Sequence, residues 1–370
     1  MTRIGIVADD LTGAADALAP FRARGYACDL LLEPGPSDTD VVATVTYSRA
    51  APDDTARERV RAAVGEVLAN GRRPYVKIDS TMRGPVAAHL DGALAACRDA
   101  YGEARAIVCP AYPELGRTVE DGVVFVDGVP LGESVFTADP RNPVRLSAMT
   151  DLLPGAVRFD PARSGADRPR IAVADATTSA QLDALAEHAL ADPATLLVGS
   201  AGLASAWARS LPAGSQPDAP RQVPEHVLLV ASSRHPVTLT QIDHLPDDLI
   251  SVFQDDVDRR GLSPVTVLAA PARFSPRDAD QVLSSLASRA RSFIESEETQ
   301  QLVLIGGDGA GAVLAALGAR AISLRDARMP GHAEGIIRGG IADGMAVITR
   351  AGGFGTATSL SELLRRTLST

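Results

Sequence analysis

The sequence predicts an α/β protein of two α/β domains in series, each with a largely parallel sheet, and with the active site in the cleft between them. Three observations lead there. The chain has 370 residues, beyond the roughly 250 to 300 at which a single core stops growing. Short apolar runs alternate with helix-period stretches from the N-terminus onward, which is the pattern of βαβ units. That alternation halts at residues 211–224, LPAGSQPDAPRQVP, a stretch dense in Pro, Gly, Ser and Ala with no period, as expected of a linker. The expected division is a domain at 1–210, a linker at 211–224 and a domain at 225–370.

In the first domain Ile4–Ala8 reads as a strand, followed by a helix over Gly13–Arg24 and strands at Cys28–Leu32 and Val41–Thr46. A helix over Asp54–Ala69, a strand at Tyr75–Ile78, a helix after Pro85 and a strand at Arg105–Cys109 continue the alternation. The run VVFVDGVP at 123–130 breaks it: Asp127-Gly128 between apolar pairs signals a type I′ hairpin. Alternation resumes with Ile171–Ala174, a helix over Ser179–Leu190 and a strand at Leu196–Val198. After the linker, strands are expected at Val227–Ala231, Val265–Ala269, Leu302–Ile305, Ile322–Leu324 and Ala346–Thr349. Helices are expected at Thr238–Leu245, Asp278–Ser296 and Gly311–Leu317. Ligands of such sheets bind at the carboxyl ends of the strands.

Composition narrows the function. Hydrophobic residues make up 45% and charged residues 22% of the chain, the balance of a globular enzyme. A net charge of -10 and a pI near 5.1 offer no basic surface for phosphate backbones, so nucleic acid is not an expected partner. Cys28, Cys97 and Cys109 are odd in number and lack CxxC spacing, which supports neither a disulfide framework nor a zinc site and suits a reducing cytoplasm. No apolar run approaches the roughly 18 residues of a membrane span. A cytoplasmic protein with a small-molecule partner and no membrane contact is expected. The residues leave the oligomeric state open, a homodimer included.

The chemistry-bearing motifs follow strands. Ala8-Asp9-Asp10-Leu11-Thr12-Gly13 puts two carboxylates where a strand feeds a helix. One acid can cap the helix, but two adjacent acids repel unless a cation or a substrate hydroxyl shares them. Lys77-Ile78-Asp79-Ser80-Thr81-Met82-Arg83 combines an ammonium, a carboxylate, two hydroxyls and a guanidinium, the inventory for a hydroxylated anion. Lys77 is the one lysine among 36 basic residues, so it marks a place where a compact ammonium serves and a guanidinium does not. Arg49, in Tyr47-Ser48-Arg49, adds a cation at the same sheet edge.

In the second domain Gly306-Gly307-Asp308-Gly309-Ala310-Gly311 opens a helix, where backbone N–H groups and the helix dipole can hold phosphate. Neither a P-loop nor a dinucleotide fingerprint is present. A second glycine loop, Arg350-Ala351-Gly352-Gly353-Phe354-Gly355-Thr356, follows the last strand, and Ser232-Ser233-Arg234-His235 follows the first, with Thr238 and Gln241 beyond it. The six histidines lack metal-ligand spacing and read as surface or core residues, His235 alone standing beside a candidate site.

Several of these strings occur together: ADDLTG at 8–13, KIDSTMRGP at 77–85, PAYPELGRT at 110–118, DGVVFVDGVPLGES at 121–134 and VGSAGLA at 198–204. In that order they resemble the four-carbon acid sugar kinase family, which includes D-threonate, D-erythronate and 3-oxo-tetronate kinases. The resemblance implies ATP with Mg2+, a sugar acid on the first domain and ATP on the second. Four positions depart from the family pattern: Ser232-Ser233 stand for Gly-Ser, Gly309 for Thr, Arg350 for Lys and Val45 for Asp.

The resulting expectation assigns Asp10, Asp79 and Lys77 to catalysis, and Asp9, Arg49, Ser80, Thr81 and Arg83 to the sugar acid. Arg49, Lys77 and Arg83 would clamp its carboxylate, and Asp10 or Asp79 would orient or deprotonate the attacking hydroxyl. Ser233, Gly306, Gly307, Asp308, Gly352, Gly353, Phe354 and Gly355 would hold the nucleotide, with no metal ligands assigned. A weakened family member that senses a sugar acid is the alternative, and an NAD-dependent dehydrogenase is disfavoured because the first strand ends in ADDLTG.

Overall fold

The computed structural model describes residues 3–139, 142–163, 167–216, 223–246, 250–253 (backbone alone), 264–271, 278–296, 299–326 and 332–369. The chain divides into two compact units, residues 1–28 with 34–216 and residues 29–33 with 217–370. Residues 217–222 of the expected linker lie outside the described residues.

The first unit contains β1 (Ile4–Ala8), α1 (Leu11–Ala23), β3 (Val41–Val45), α2 (Asp53–Ala69), β4 (Arg73–Lys77), α3 (Val86–Tyr101) and β5 (Arg105–Cys109). It continues with β6 (Arg117–Glu120), β7 (Val123–Val126), β8 (Val129–Pro130), α4 (Met149–Leu152), β9 (Val157–Arg158), β10 (Ile171–Val173), α5 (Ser179–Leu190), β11 (Thr195–Gly199) and α6 (Ala201–Ser210). Its main sheet runs β3-β1-β4-β11-β5-β10-β9, parallel throughout. Helices cover strands such as β1 so completely that every β1 residue is buried, hence the continuous apolar runs in the sequence. Register decides what happens at the carboxyl edge. Ala8 pairs with Val45 on one side and Lys77 on the other, so the segments after β1, β3 and β4 begin level with one another.

Strands β6, β7 and β8 form a separate antiparallel sheet. The expected hairpin turn is there: Asp127 and Gly128 have φ of 52° and 81°, the two positive values of a type I′ turn. The pairing of β6 goes beyond the hairpin that was expected.

The second unit holds β12 (Val227–Ala231), α7 (Pro236–Asp243), β13 (Ile250–Phe253), β14 (Val265–Ala269), α8 (Ala279–Glu295), β15 (Gln301–Ile305) and α9 (Gly307–Ala316). β16 (Ala321–Asp326), β17 (His332–Arg338), β18 (Ala346–Arg350) and α10 (Ser359–Thr367) complete it. Strands β13-β14-β12-β15-β18 are parallel, and β17 and β16 extend them antiparallel. Residues 29–31 of β2 (Cys28–Leu31) pair antiparallel with β16, so a piece of N-terminal sequence completes this unit. The core packs Leu229, Val267, Val303 and Ile348 against Leu360 and Leu364 of α10. Ala231 pairs with Ile305, and Ile305 with Arg350, which again brings three loops level at one edge.

Helix α9 begins at Gly307, four residues before the expected start at Gly311. One residue makes the whole strand-to-helix turn, because Gly306 adopts φ 101°, closed to ordinary side chains. Gly307, Asp308 and Gly309 are therefore the first helical turn, not a loop.

Candidate active site

In the first unit the three level loops bring Asp9, Asp10, Arg49, Lys77, Asp79, Thr81 and Arg83 into one cluster. Arg49 grips both N-terminal acids. Its Nε and Nη2 donate to Asp9 Oδ2 and Oδ1 at 2.7 and 2.8 Å, and its Nη1 and Nη2 donate to Asp10 Oδ2 and Oδ1 at 2.7 and 2.9 Å. Its Nη2 also lies 3.8 Å from Asp79. Asp10 caps α1 as well, accepting from the Gly13 amide at 2.8 Å and the Thr12 hydroxyl at 2.9 Å. The expected site residue Asp10 is thus also the cap of α1.

Asp79 is engaged on both oxygens. Arg83 Nε and Nη2 each donate to it at 2.9 Å, and it also accepts from the amide and hydroxyl of Thr81. Burial would raise its pKa, but Arg83 and then Arg49 outweigh burial and hold it well below the usual carboxylate range. Asp9 is lowered in the same way, burial being outweighed by Arg49. Burial opposes the charge of Arg49, and Asp10 and Asp9 more than compensate for it. Such paired charges are rigid: each makes its partner's burial tolerable.

This geometry redistributes the expected roles. Arg49 and Arg83 reach the site already bound to carboxylates, so neither is an open clamp. Lys77 differs. It is 5% exposed, and among the described residues its ammonium has one hydrogen bond, to the Ile78 carbonyl at 2.8 Å. An ammonium carries three donors. The space beside it is kept by Gly13, where a Cβ would stand 3.1 Å from Lys77 Nζ and collide with Asp10 Oδ1. Ser80 is half-buried beside the cluster.

The structure adds residues that the sequence reading missed. Asp139 accepts from Arg83 Nη1 at 3.1 Å, and the Phe136 ring lies 5.2 Å from the Arg83 guanidinium carbon and 6.0 Å from that of Arg117. Both belong to the segment after β8, and nothing in its sequence marks them. Beneath the cluster, His89 shares a 2.9 Å hydrogen bond with Ser48, which bonds Thr46 at 2.7 Å. Burial lowers the His89 pKa, and its place in the interior agrees with its reading as a core or surface residue. Tyr47 and Met82 have positive φ, 48° and 55°, backbone strain of the sort that collects at functional loops.

In the second unit the loops after β12, β15 and β18 converge on glycines. A Cβ on Gly352 would collide with the Ser233 side chain, and one on Gly306 would lie 2.6 Å from Ser232 Oγ. A Cβ on Gly309 would overlap Ser232, whose hydroxyl donates to the Ile305 carbonyl at 3.1 Å. Ser232 therefore occupies the space over Gly309. The two departures at these positions are one exchange of volume across a contact. Gly353, Gly355 and Asp308 are exposed, and Ser233, Gly306, Gly307, Gly352 and Phe354 are half-buried. Ser233, Gly306 and Gly352 come together, and Gly353 lies 3.4 Å from His235 by the same Cβ measure. Among the described residues no three His, Cys, Asp or Glu side chains converge as a metal site, and no helix is long and apolar enough to cross a membrane.

A paired-charge cluster on one unit and a glycine-lined edge on the other give the chain two chemically distinct parts, of the kinds that suit a polar anion and a phosphate. Family models match each part: a sugar-binding N-terminal domain over residues 4–207 and a nucleotide-binding C-terminal domain over residues 259–360. The chain belongs to the four-carbon acid sugar kinase family. It is 35% identical to a D-threonate kinase of Bordetella bronchiseptica, over 95% of this chain and 94% of that one. A Haemophilus influenzae protein of solved structure superposes with a TM-score of 0.73 at 21% identity, covering 99% of this chain and 100% of that one. A Bordetella bronchiseptica structure with bound citrate, a domain-swapped dimer, matches at 32% identity and TM-score 0.50, covering 99% and 98%.

Proposed function

We propose that this chain is an ATP-dependent kinase that phosphorylates a hydroxyl of a four-carbon sugar acid. The observation that carries the reading is Lys77: a buried ammonium with open donors, beside a fixed carboxylate cluster, in the unit that matches a sugar-binding domain. Such an ammonium takes a substrate carboxylate. The citrate bound in the Bordetella structure is a ligand of the same kind, a hydroxylated carboxylic acid.

Asp10 has the most accessible carboxylate of the three, its side chain 19% exposed against 1% for Asp9 and 10% for Asp79. We assign it to orient the attacking hydroxyl and take its proton, with Ser80 and Thr81 beside the substrate hydroxyls. Asp10 and Asp79 each accept four hydrogen bonds, so the assignment rests on the greater exposure of Asp10, and Asp79 is assigned to holding the loop. The hydroxyl oxygen bonds to the γ-phosphorus as the bond from that phosphorus to the β–γ bridging oxygen breaks, leaving ADP. Little covalent chemistry is asked of the protein, and positioning and charge neutralisation supply the rate. Mg2+ would accompany the nucleotide and supply neutralisation of phosphate charge, with Ser233, Gly307, Asp308 and Gly353 as the residues that would surround the phosphates.

We place the reaction in the cytoplasm, and we propose a homodimer, testable by light scattering. The activity is tested by an ADP-release screen with Mg-ATP against threonate, erythronate, their enantiomers and 3-oxo-tetronates. One acid should give stoichiometric ADP, with little turnover in its absence. Measurable binding of an acid that stimulates no ADP release would favour the sensor reading, which the altered pair Ser232 and Gly309 motivates.

A further inference from the structure

We infer that Arg350, Thr238 and Gln241 are positioning residues that turn the 352–357 loop into an anion cradle, with Arg350 supplying an uncompensated positive charge beneath it. The inference rests on the kinase reading and names residues to which that reading gives no role.

Thr238 Oγ1 donates to the Gly352 carbonyl at 2.6 Å. Gln241 Nε2 donates to the carbonyls of Phe354 and Thr356 at 3.0 and 2.7 Å, and Arg350 Nη2 donates to that of Phe354 at 2.6 Å. Three alternate carbonyls are thus held toward the body of the unit. No cis peptide bond occurs among the described residues, and in a trans peptide the carbonyl of one residue and the N–H of the next point in opposite directions. Holding carbonyls 352, 354 and 356 inward therefore directs the amides of Gly353, Gly355 and Ala357 outward. Gly353 and Gly355 are exposed, and among the described residues none of these three amides donates a hydrogen bond. A row of outward amides is an anion site.

Arg350 is the independent observation. It is 1% exposed, yet among the described residues its Nε and Nη1 have no hydrogen-bond partner and no carboxylate pairs with it. Burial alone acts on its pKa, lowering it. A buried charge without a counter-ion is costly, and contrasts with the fully paired Arg49 and Arg83 of the other unit. An anion held on the loop amides supplies the missing negative charge. A polyphosphate is the ligand of matching chemistry.

The test compares wild type with Arg350→Met, Arg350→Lys and Thr238→Val, measuring Mg-ADP and D-threonate binding by calorimetry and the melting temperature of the ligand-free protein. Arg350→Met should melt at or above wild type, because an unpaired buried charge is gone. It should bind ADP roughly ten- to a hundredfold more weakly, the cost of losing a charge-assisted interaction. Acid binding should stay as in wild type. Arg350→Lys should recover part of the ADP affinity, and Thr238→Val should weaken ADP without touching any charge. ADP affinity within twofold of wild type in both Arg350→Met and Thr238→Val overturns the inference. So does a lowered melting temperature of ligand-free Arg350→Met, which would make Arg350 a structural pin. If Arg350→Met fails to fold, that too marks a structural pin. Absence of ADP and ATP binding in wild type would sink the kinase reading itself, and this inference with it.

Discussion

In the proposed reading the two units take up their anions in opposite ways. In the first, charged side chains are packed together and neutralise one another, Arg49 on Asp9 and Asp10 and Arg83 on Asp79 and Asp139, so that one ammonium, Lys77, is left with open donors. In the second, the edge is built from backbone and small residues, and its one buried cation, Arg350, has no counter-charge among the described residues. A carboxylate with neighbouring hydroxyls needs fixed, directional partners, and the paired cluster provides them. A polyphosphate carries more charge over more oxygens, and amides spread along a loop match it better.

The comparison is broken most strongly at Gly13. Gly13→Ala puts a methyl group against Asp10 Oδ1 and within 3.1 Å of Lys77 Nζ. Acid-dependent ADP release should fall by a hundredfold or more, on the order of 3 kcal/mol, with the melting temperature reporting that the fold survives. Unaltered kinetics would move the acid away from Lys77.

Lys77→Arg comes next. Every other basic residue in the chain is already arginine, so surface logic makes the change neutral. A guanidinium is larger and aims its donors in a fixed fork. Losing one charge-assisted contact should cost about 1.5 to 3 kcal/mol, read as a drop in kcat/KM for the acid. Wild-type kinetics would make the single lysine an accident.

Gly309→Thr sharpens the second unit. The added side chain overlaps Ser232, and overpacking of this sort costs about 1 to 3 kcal/mol. Ser232→Gly in the same chain should restore most of that loss, a coupling visible as non-additive melting temperatures. Additive effects would show that the two positions do not share one space.

The smallest effect is acid lability. Asp9 and Asp79 are held below 3.8 in the folded chain, so they contribute stability that is fully present above about pH 4 and is lost as pH falls through their folded values. Trp207, the single tryptophan, is buried in the first unit and reports its unfolding by fluorescence. The first unit's transition should lie below about pH 4. A loss beginning above pH 5 would contradict the paired cluster.

Much of this was legible in the sequence because parallel strands buried on both faces leave continuous apolar runs, and in such sheets chemistry sits just after them. The motifs at 8–13 and 77–85 were found that way, and Asp127-Gly128 announced its own turn. Other features carry no such mark. β17 has Gly335 in its interior, admitted by close approach to the Ser323 carbonyl, and that glycine breaks the apolar run. Helix α10 is short, nine residues, but its Leu360, Leu363 and Leu364 keep the i, i+3, i+4 spacing of a buried helix face, a signal that was present and not used. The pairing of residues 29–31 with β16 joins positions nearly 300 apart, and no local pattern encodes it. Asp139 and Phe136 meet the site at Arg83, and the engagement of Arg49 by two acids depends on strand register, which the sequence leaves open.

The division of labour between the units is tested most directly by measuring both ligands on two variants. Calorimetry with Mg-ADP and with the acid that supports turnover would be run on Gly13→Ala and Gly352→Asp, the latter placing a carboxylate against Ser233, where the proposed phosphate site lies. The account predicts a crossed result: Gly13→Ala loses the acid and keeps ADP, and Gly352→Asp loses ADP and keeps the acid. Loss of both ligands by either folded variant, or retention of both by either, would contradict it.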